Sequence, residues 1–167
     1  MHKASLTLTC IFIASLMHGC ATYKPVPDGY AGAVAVISDT GFSENGSKGQ
    51  VFVLMEVDGN PIENSFGASA RASYGQGFAL TPKFVSRPIP ARPMKVKIKA
   101  GHSTGAPIHA IASQLAGTFF SVEGITDFTP LSGGEYLVKG NLTKEGSVVW
   151  IEDARTGQLM TEKLTGK

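Results

Sequence analysis

His102 and His109, the carboxylates Glu123, Asp127, Glu152 and Asp153, and the lysines Lys95, Lys97 and Lys99 are the side chains of this 167-residue sequence whose types and spacing could do chemistry. The histidines stand seven residues apart across Gly105 and Pro107. With a carboxylate they could start a metal site, but such a site takes three or four ligands and no neighbouring pattern supplies the rest. Loop or surface histidines are the expected outcome, with no metal and no cofactor. Glu123 and Asp127 fall on one face of a strand pattern, and Glu152-Asp153 ends another. Paired acids can hydrolyse glycosides when a cleft sets their separation, yet solvated strand ends and Asp-initiated turns are commoner. Neither a Walker loop nor HExxH is present, and the Gly-x-Ser-x-Gly spacing of a serine nucleophile elbow is expected to be absent.

Charge distribution says more than the formal total of +2, which gives no global pull toward an anionic polymer. No acid occurs between Glu63 and Glu123, while Arg71, Lys83, Arg87, Arg92, Lys95, Lys97 and Lys99 fall inside that interval. In Met94-Lys95-Val96-Lys97-Ile98-Lys99 the alternation places three ammonium groups on one strand face. That face could meet lipid headgroups, an anionic cell-wall polymer or an acidic envelope protein. It also fits a structural role, because lysines on an exposed face or edge oppose edge-to-edge aggregation. Nucleic acid is not an expected partner, since no aromatic residue interleaves the stripe.

The first twenty residues carry a different chemistry. Lys3 precedes an apolar run over 4–17 that ends in Leu16-Met17-His18-Gly19-Cys20. A helix over that run would be about 21 Å long, short of a ~30 Å hydrocarbon core, so it suits export rather than a permanent span. Gly19-Cys20 at the end of the run resembles the lipobox of bacterial lipoproteins, with Met17 and His18 departing from the usual residues. The resemblance implies cleavage between Gly19 and Cys20 of a signal peptide covering 1–19. It also implies that Cys20 becomes an N-acyl, S-diacylglycerol cysteine carrying palmitate-type chains. Buried acyl CH₂ groups contribute about 0.8 kcal/mol each, so the implied partner is a membrane, held by a lipid anchor. Ala21 stands where the family's inner-membrane retention signal has aspartate, which implies the outer membrane, facing the periplasm. Cys10 lies in the removed segment, so no thiol remains for a disulfide or a metal.

The elements that must position these groups follow from composition and punctuation. With 43% hydrophobic residues, 17% charged, 20 Gly and 9 Pro, the chain favours short strands and many turns in one domain. A tether over 20–31, containing Pro25, Pro27 and Asp28-Gly29, leads to a single domain over 32–167. Strands are predicted over 33–38, 51–57, 62–72, 94–100, 119–128, 135–142, 147–153 and 158–164. Asp58-Gly59 reads as a hairpin turn. Ile108, Ile111, Ala112 and Leu115, after Pro107 and before Gly117, predict one short helix near 107–116. Residues 75–93 read as a long connection, and Trp150 as a core anchor. The fold class expected is mainly β, an antiparallel β-sandwich. Gly133-Gly134-Glu135-Tyr136 and residues 148–157 loosely resemble transthyretin-like or PEGA-type β-sandwiches, which implies a fold and no activity. The expected function is a non-catalytic binding or structural role in the cell envelope. The alternative is an envelope hydrolase or carbohydrate-acting enzyme using His102 and His109 or the strand-end carboxylates.

Overall fold

Alternating apolar residues, interrupted by glycine turns, build two facing sheets in the computed structural model, which describes residues 22–166. The elements in chain order are β1 (Val34–Ser38), β2 (Thr40–Asn45), β3 (Lys48–Val57), β4 (Asn60–Pro61), α1 (Ser65–Ser73), β5 (Ser86–Pro90) and β6 (Met94–Thr104). There follow α2 (Pro107–Leu115), β7 (Ser121–Phe128), β8 (Glu135–Leu142), β9 (Ser147–Asp153) and β10 (Leu164–Gly166). One sheet has the order β10-β9-β8-β1-β5, the other β2-β3-β6-β7 with β4 paired to β3. The pairing is antiparallel except where β1 runs parallel to β8. This is the β-sandwich expected. Its core is formed by inward residues of both sheets, including Ile37, Leu54, Ile98, Phe128, Val138 and Ile151. The Phe128 and Tyr136 rings meet edge to face at 5.1 Å. Tyr136 Oη accepts a hydrogen bond of 2.8 Å from the Leu131 amide. That ring folds back over Gly134, where a Cβ would stand 2.4 Å from the phenolic oxygen, so glycine is required there for space.

The predicted strand over 62–72 is wrong: after the two-residue β4, the chain forms α1. Its period-two pattern hides a helical one, because Ser65, Ser69 and Ser73 recur at intervals of four and all are buried. Asn64 starts the helix by accepting from the amides of Phe66 (3.1 Å) and Gly67 (3.4 Å). The three hydroxyls accept from the amides of Val85, Lys83 and Thr81 respectively, each at 2.9 Å. Four helical residues rise about 6 Å, and two extended residues advance about 6.6 Å. A helix face carrying serine at every fourth position therefore stands in for a neighbouring strand. It gives the connection over 75–93 its order, and β5 at its end pairs with β1.

Other boundaries moved for local reasons. The predicted strand over 158–164 reduces to a Glu152–Leu159 bridge and to β10, because Thr161 Oγ1 takes the Ile151 amide (3.0 Å). Phe119 and Phe120 precede β7 rather than open it. β2 carried no apolar alternation to announce it. Trp150 is not in the core: Val149 and Ile151 point inward, while the indole lies on the outer face, with Lys163 Nζ 4.5 Å from its centroid and Nε1 donating to Glu152 (2.8 Å).

Asp39 sits where the chain leaves β1 for β2 and so passes between sheets. Its carboxylate is buried and accepts from the amides of Leu54 (3.0 Å) and Ser65 (2.8 Å) and from Ser65 Oγ (2.8 Å). Arg87 Nη2 lies 2.8 Å from Oδ2. Removing one member of a buried pair typically costs about 3–5 kcal/mol, and here two backbone amides would lose their acceptor as well. Asp39→Ala is expected to lower the unfolding free energy by at least about 3 kcal/mol, read from urea denaturation of the two proteins.

Candidate functional site

Lys95, Lys97 and Lys99 share the outer face of β6, as the alternation predicts, while Met94, Val96, Ile98 and Ala100 face the core. β6 is an interior strand, flanked by β3 and β7, so its lysines do not guard an edge. Each faces acids on the adjoining strands. Lys95 meets Asp127 at 2.9 Å, Lys97 meets Glu56 at 3.4 Å and Glu123 at 3.8 Å, and Lys99 meets Glu123 at 2.8 Å. Three lysines thus interleave with Glu56, Glu123 and Asp127 in a charge-balanced ladder. The hydrogen bond from Lys99, with its charge, holds the Glu123 carboxyl below the usual range.

The remaining candidate acids serve as local ties. Glu152 receives the Trp150 indole proton. Asp153 Oδ1 accepts from the amides of Arg155 (3.0 Å) and Thr156 (2.8 Å) and from the Thr156 hydroxyl (3.0 Å), closing the turn after β9.

The two histidines occupy different surroundings. His109, on α2, stacks on Phe78 with centroids 4.6 Å apart. His102 is buried on the core-facing side of β6, only 6% exposed, against Phe119 and Phe120. Its Nδ1 is 3.4 Å from Glu44 Oε1. Sequence reasoning missed this cluster, whose members come from three strands. Gln50 Nε2 donates to Glu44 Oε1 (2.9 Å). The same amide group crosses to the other sheet, where its Oε1 takes the Leu142 amide (3.0 Å) and its Nε2 donates to the Leu142 carbonyl (3.2 Å). Lys48 Nζ lies 3.5 Å from Glu44 and donates to the Thr118 carbonyl (2.6 Å). Burial pushes the His102 pKa down, and the Glu44 charge offsets part of that shift. Among the described residues no three His, Cys, Asp or Glu side chains are placed to share a metal ion.

Contrary to the expectation that the spacing is absent, Gly101-His102-Ser103-Thr104-Gly105 does have the Gly-x-Ser-x-Gly pattern and lies between a strand and a helix. The elbow geometry is absent. Ser103 is within β6, paired opposite Gly49 and 9% exposed. Asp58 is the one non-glycine residue with positive φ among those described, so Ser103 is not on the strained turn that presents a nucleophile. The backbone instead needs Gly105 for a close approach, since a Cβ there would lie 2.3 Å from the Phe78 carbonyl oxygen.

A groove of about 480 Å³ on the outer face of the β3–β6–β7 sheet is lined by Phe66 of α1, Gln114 of α2, Met55, Lys99, Gly101 and Phe119, among others. Gly19 and Cys20 lie outside the described residues. Thr22 and Tyr23, inside the expected tether, share a surface cleft with Asn60, Ile62 and the α1 residues Gly67 and Arg71. Comparison with family models, with curated proteins and with solved structures finds no match.

Two titrations check this geometry. In the unfolded chain His102 titrates near 6.5, whereas in the folded chain it titrates lower. Between those values the unfolded state binds more protons, so stability falls as pH drops through 6.5. The loss in urea midpoint from pH 7.5 to 5.5 should be smaller in His102→Gln than in the parent. For Glu123, Lys99→Ala should raise the carboxyl midpoint toward its ordinary 4.5, followed by NMR.

Proposed function

We propose that the chain is a bacterial lipoprotein, anchored through acylated Cys20 to the outer membrane on its periplasmic side, with a non-catalytic binding or structural role in the envelope. The observation that carries this reading is the N-terminal order of Lys3, the apolar run over 4–17 and Gly19-Cys20. The sandwich supports a scaffold role, since the acids considered for catalysis are engaged in ion pairs and turns, His102 in a buried cluster and His109 in a ring stack with Phe78. The partner class is an envelope protein or an anionic polymer. Of the ladder pairs, Lys95–Asp127 is the most open, with side chains 69% and 82% exposed. Exposed pairs are worth little, so Lys95 is the lysine most readily handed from its internal acid to an external one.

Labelled palmitate tests the anchor. The parent chain should incorporate it and Cys20→Ser should not, while an inhibitor of lipoprotein signal peptidase should leave a larger precursor. Label retained by Cys20→Ser overturns the reading.

A further inference from the structure

The helix α2 is mounted inside out. Its apolar positions Ile108, Ile111 and Leu115 are 62%, 57% and 85% exposed. The half-covered positions are His109, Ala110 and Ser113. An amphipathic helix on a soluble domain normally turns its apolar stripe toward the core. Here none of its residues is buried, and the neighbouring Phe78, stacked on His109, is 60% exposed. From residue 100 to 122 the sequence contains no Asp, Glu, Lys or Arg. The flanking charges, Lys99 and Glu123, pair with each other at 2.8 Å. The result is a charge-free apolar projection with an ion pair at its root.

The position of this projection points to what covers it. α2 and α1 each contribute a residue, Gln114 and Phe66, to the lining of one groove on the outer sheet face, and Thr22 and Tyr23 share a cleft with α1. Only Ala21 separates Thr22 from Cys20. Two residues of extended chain span at most about 7 Å, so an acyl group on Cys20 starts close to the α1 side of the domain. A bilayer holding those acyl chains must therefore pass near this side of the molecule. The acyl region of a bilayer accepts apolar side chains and excludes formal charge, which is the composition the projection presents. A second weak contact beside an anchor gains from high effective concentration, so three apolar side chains suffice where they would not bind alone.

From this arrangement we infer that α2 is a second membrane contact: Ile108, Ile111 and Leu115 enter the lipid surface beside the acylated N-terminus and fix the orientation of the domain. The inference rests on the proposed lipid anchor at Cys20.

The test uses the full chain, exported and processed in bacteria, with Leu115→Cys as its one free thiol once Cys20 is acylated. A polarity-sensitive maleimide probe is attached there, or in a second protein at Lys144→Cys in the β8–β9 turn. Both proteins are reconstituted into phosphatidylethanolamine–phosphatidylglycerol vesicles, with or without brominated acyl chains. Incorporation of labelled palmitate is read in parallel. The expected result is a blue shift at position 115 and at least twofold quenching by brominated lipid, with neither effect at 144. An acylated, vesicle-bound protein whose probe at 115 stays as wet as that at 144 overturns the inference and leaves the anchor standing. A blue shift without vesicles that grows with protein concentration also overturns it, assigning the stripe to a second copy of the chain. Absence of palmitate removes the anchor reading and the inference with it.

Discussion

The buried carboxylate of Asp39 is the constraint from which the arrangement of the molecule follows. A charge taken out of water is tolerated only when donors surround it. Here they come from β3 through the Leu54 amide, from the first turn of α1 through both polar groups of Ser65, and from β5 through Arg87. The positive end of the α1 dipole adds to the same field. Once Ser65 is held at Asp39, the helix is oriented, and Ser69 and Ser73 meet the extended chain that leads into β5. One residue at the crossing between sheets thus sets the helix, the covering segment and the strand β5 that pairs with β1 at the edge of its sheet.

The covering layer explains why β3 is apolar without alternation. Phe52 and Leu54 face the sandwich interior, while Val51 and Val53 are equally buried on the opposite face. α1 lies against β3 and β6 on that face, where Gly101 leaves room for the Phe66 ring, 3.0 Å from where a Cβ would be. A strand covered on both sides reads as a continuous apolar run. Further along β6 the cover ends and the lysine ladder begins. The outer face therefore passes from buried valines, through a groove, to exposed ion pairs.

What could be read in the sequence was what short-range patterns determine. The β8–β9 hairpin was legible because Tyr136, Val138 and Leu142 alternate with polar residues and the following apolar run ends at Glu152-Asp153. Likewise α2 was legible, because Pro107, the spacing of Ile108, Ile111 and Leu115, and Gly117 agree. The direction in which its stripe faces was not, since periodicity fixes a face and not what lies opposite it. The segment over 62–72 failed because alternating Ala and Ser satisfy both periods. Long-range amide donors to Ser65, Ser69 and Ser73, some eight to twenty residues away, decided between them. The cluster of Glu44, Gln50 and His102 was hidden for the same reason: β2 had no apolar pattern to place Glu44 beside β6.

The acid-free interval from 64 to 122 shows how misleading linear charge can be. Arg71 pairs with Glu63, Arg87 with Asp39 and Arg92 with Asp58. The three lysines of β6 are matched by Glu56, Glu123 and Asp127. Every one of those acids lies outside the interval, brought in by strand pairing or by the sheet crossing. Lys83 alone of the seven cations has no ion-pair partner among the described residues. A basic stretch of sequence has thus become a surface of matched charges, and long-range attraction to an anionic partner is correspondingly weak. Recognition by such a surface must work at contact, through exchange of partners at exposed pairs or through apolar groups that carry no charge to match. The interval supplies both, the first at Lys95 and the second on α2.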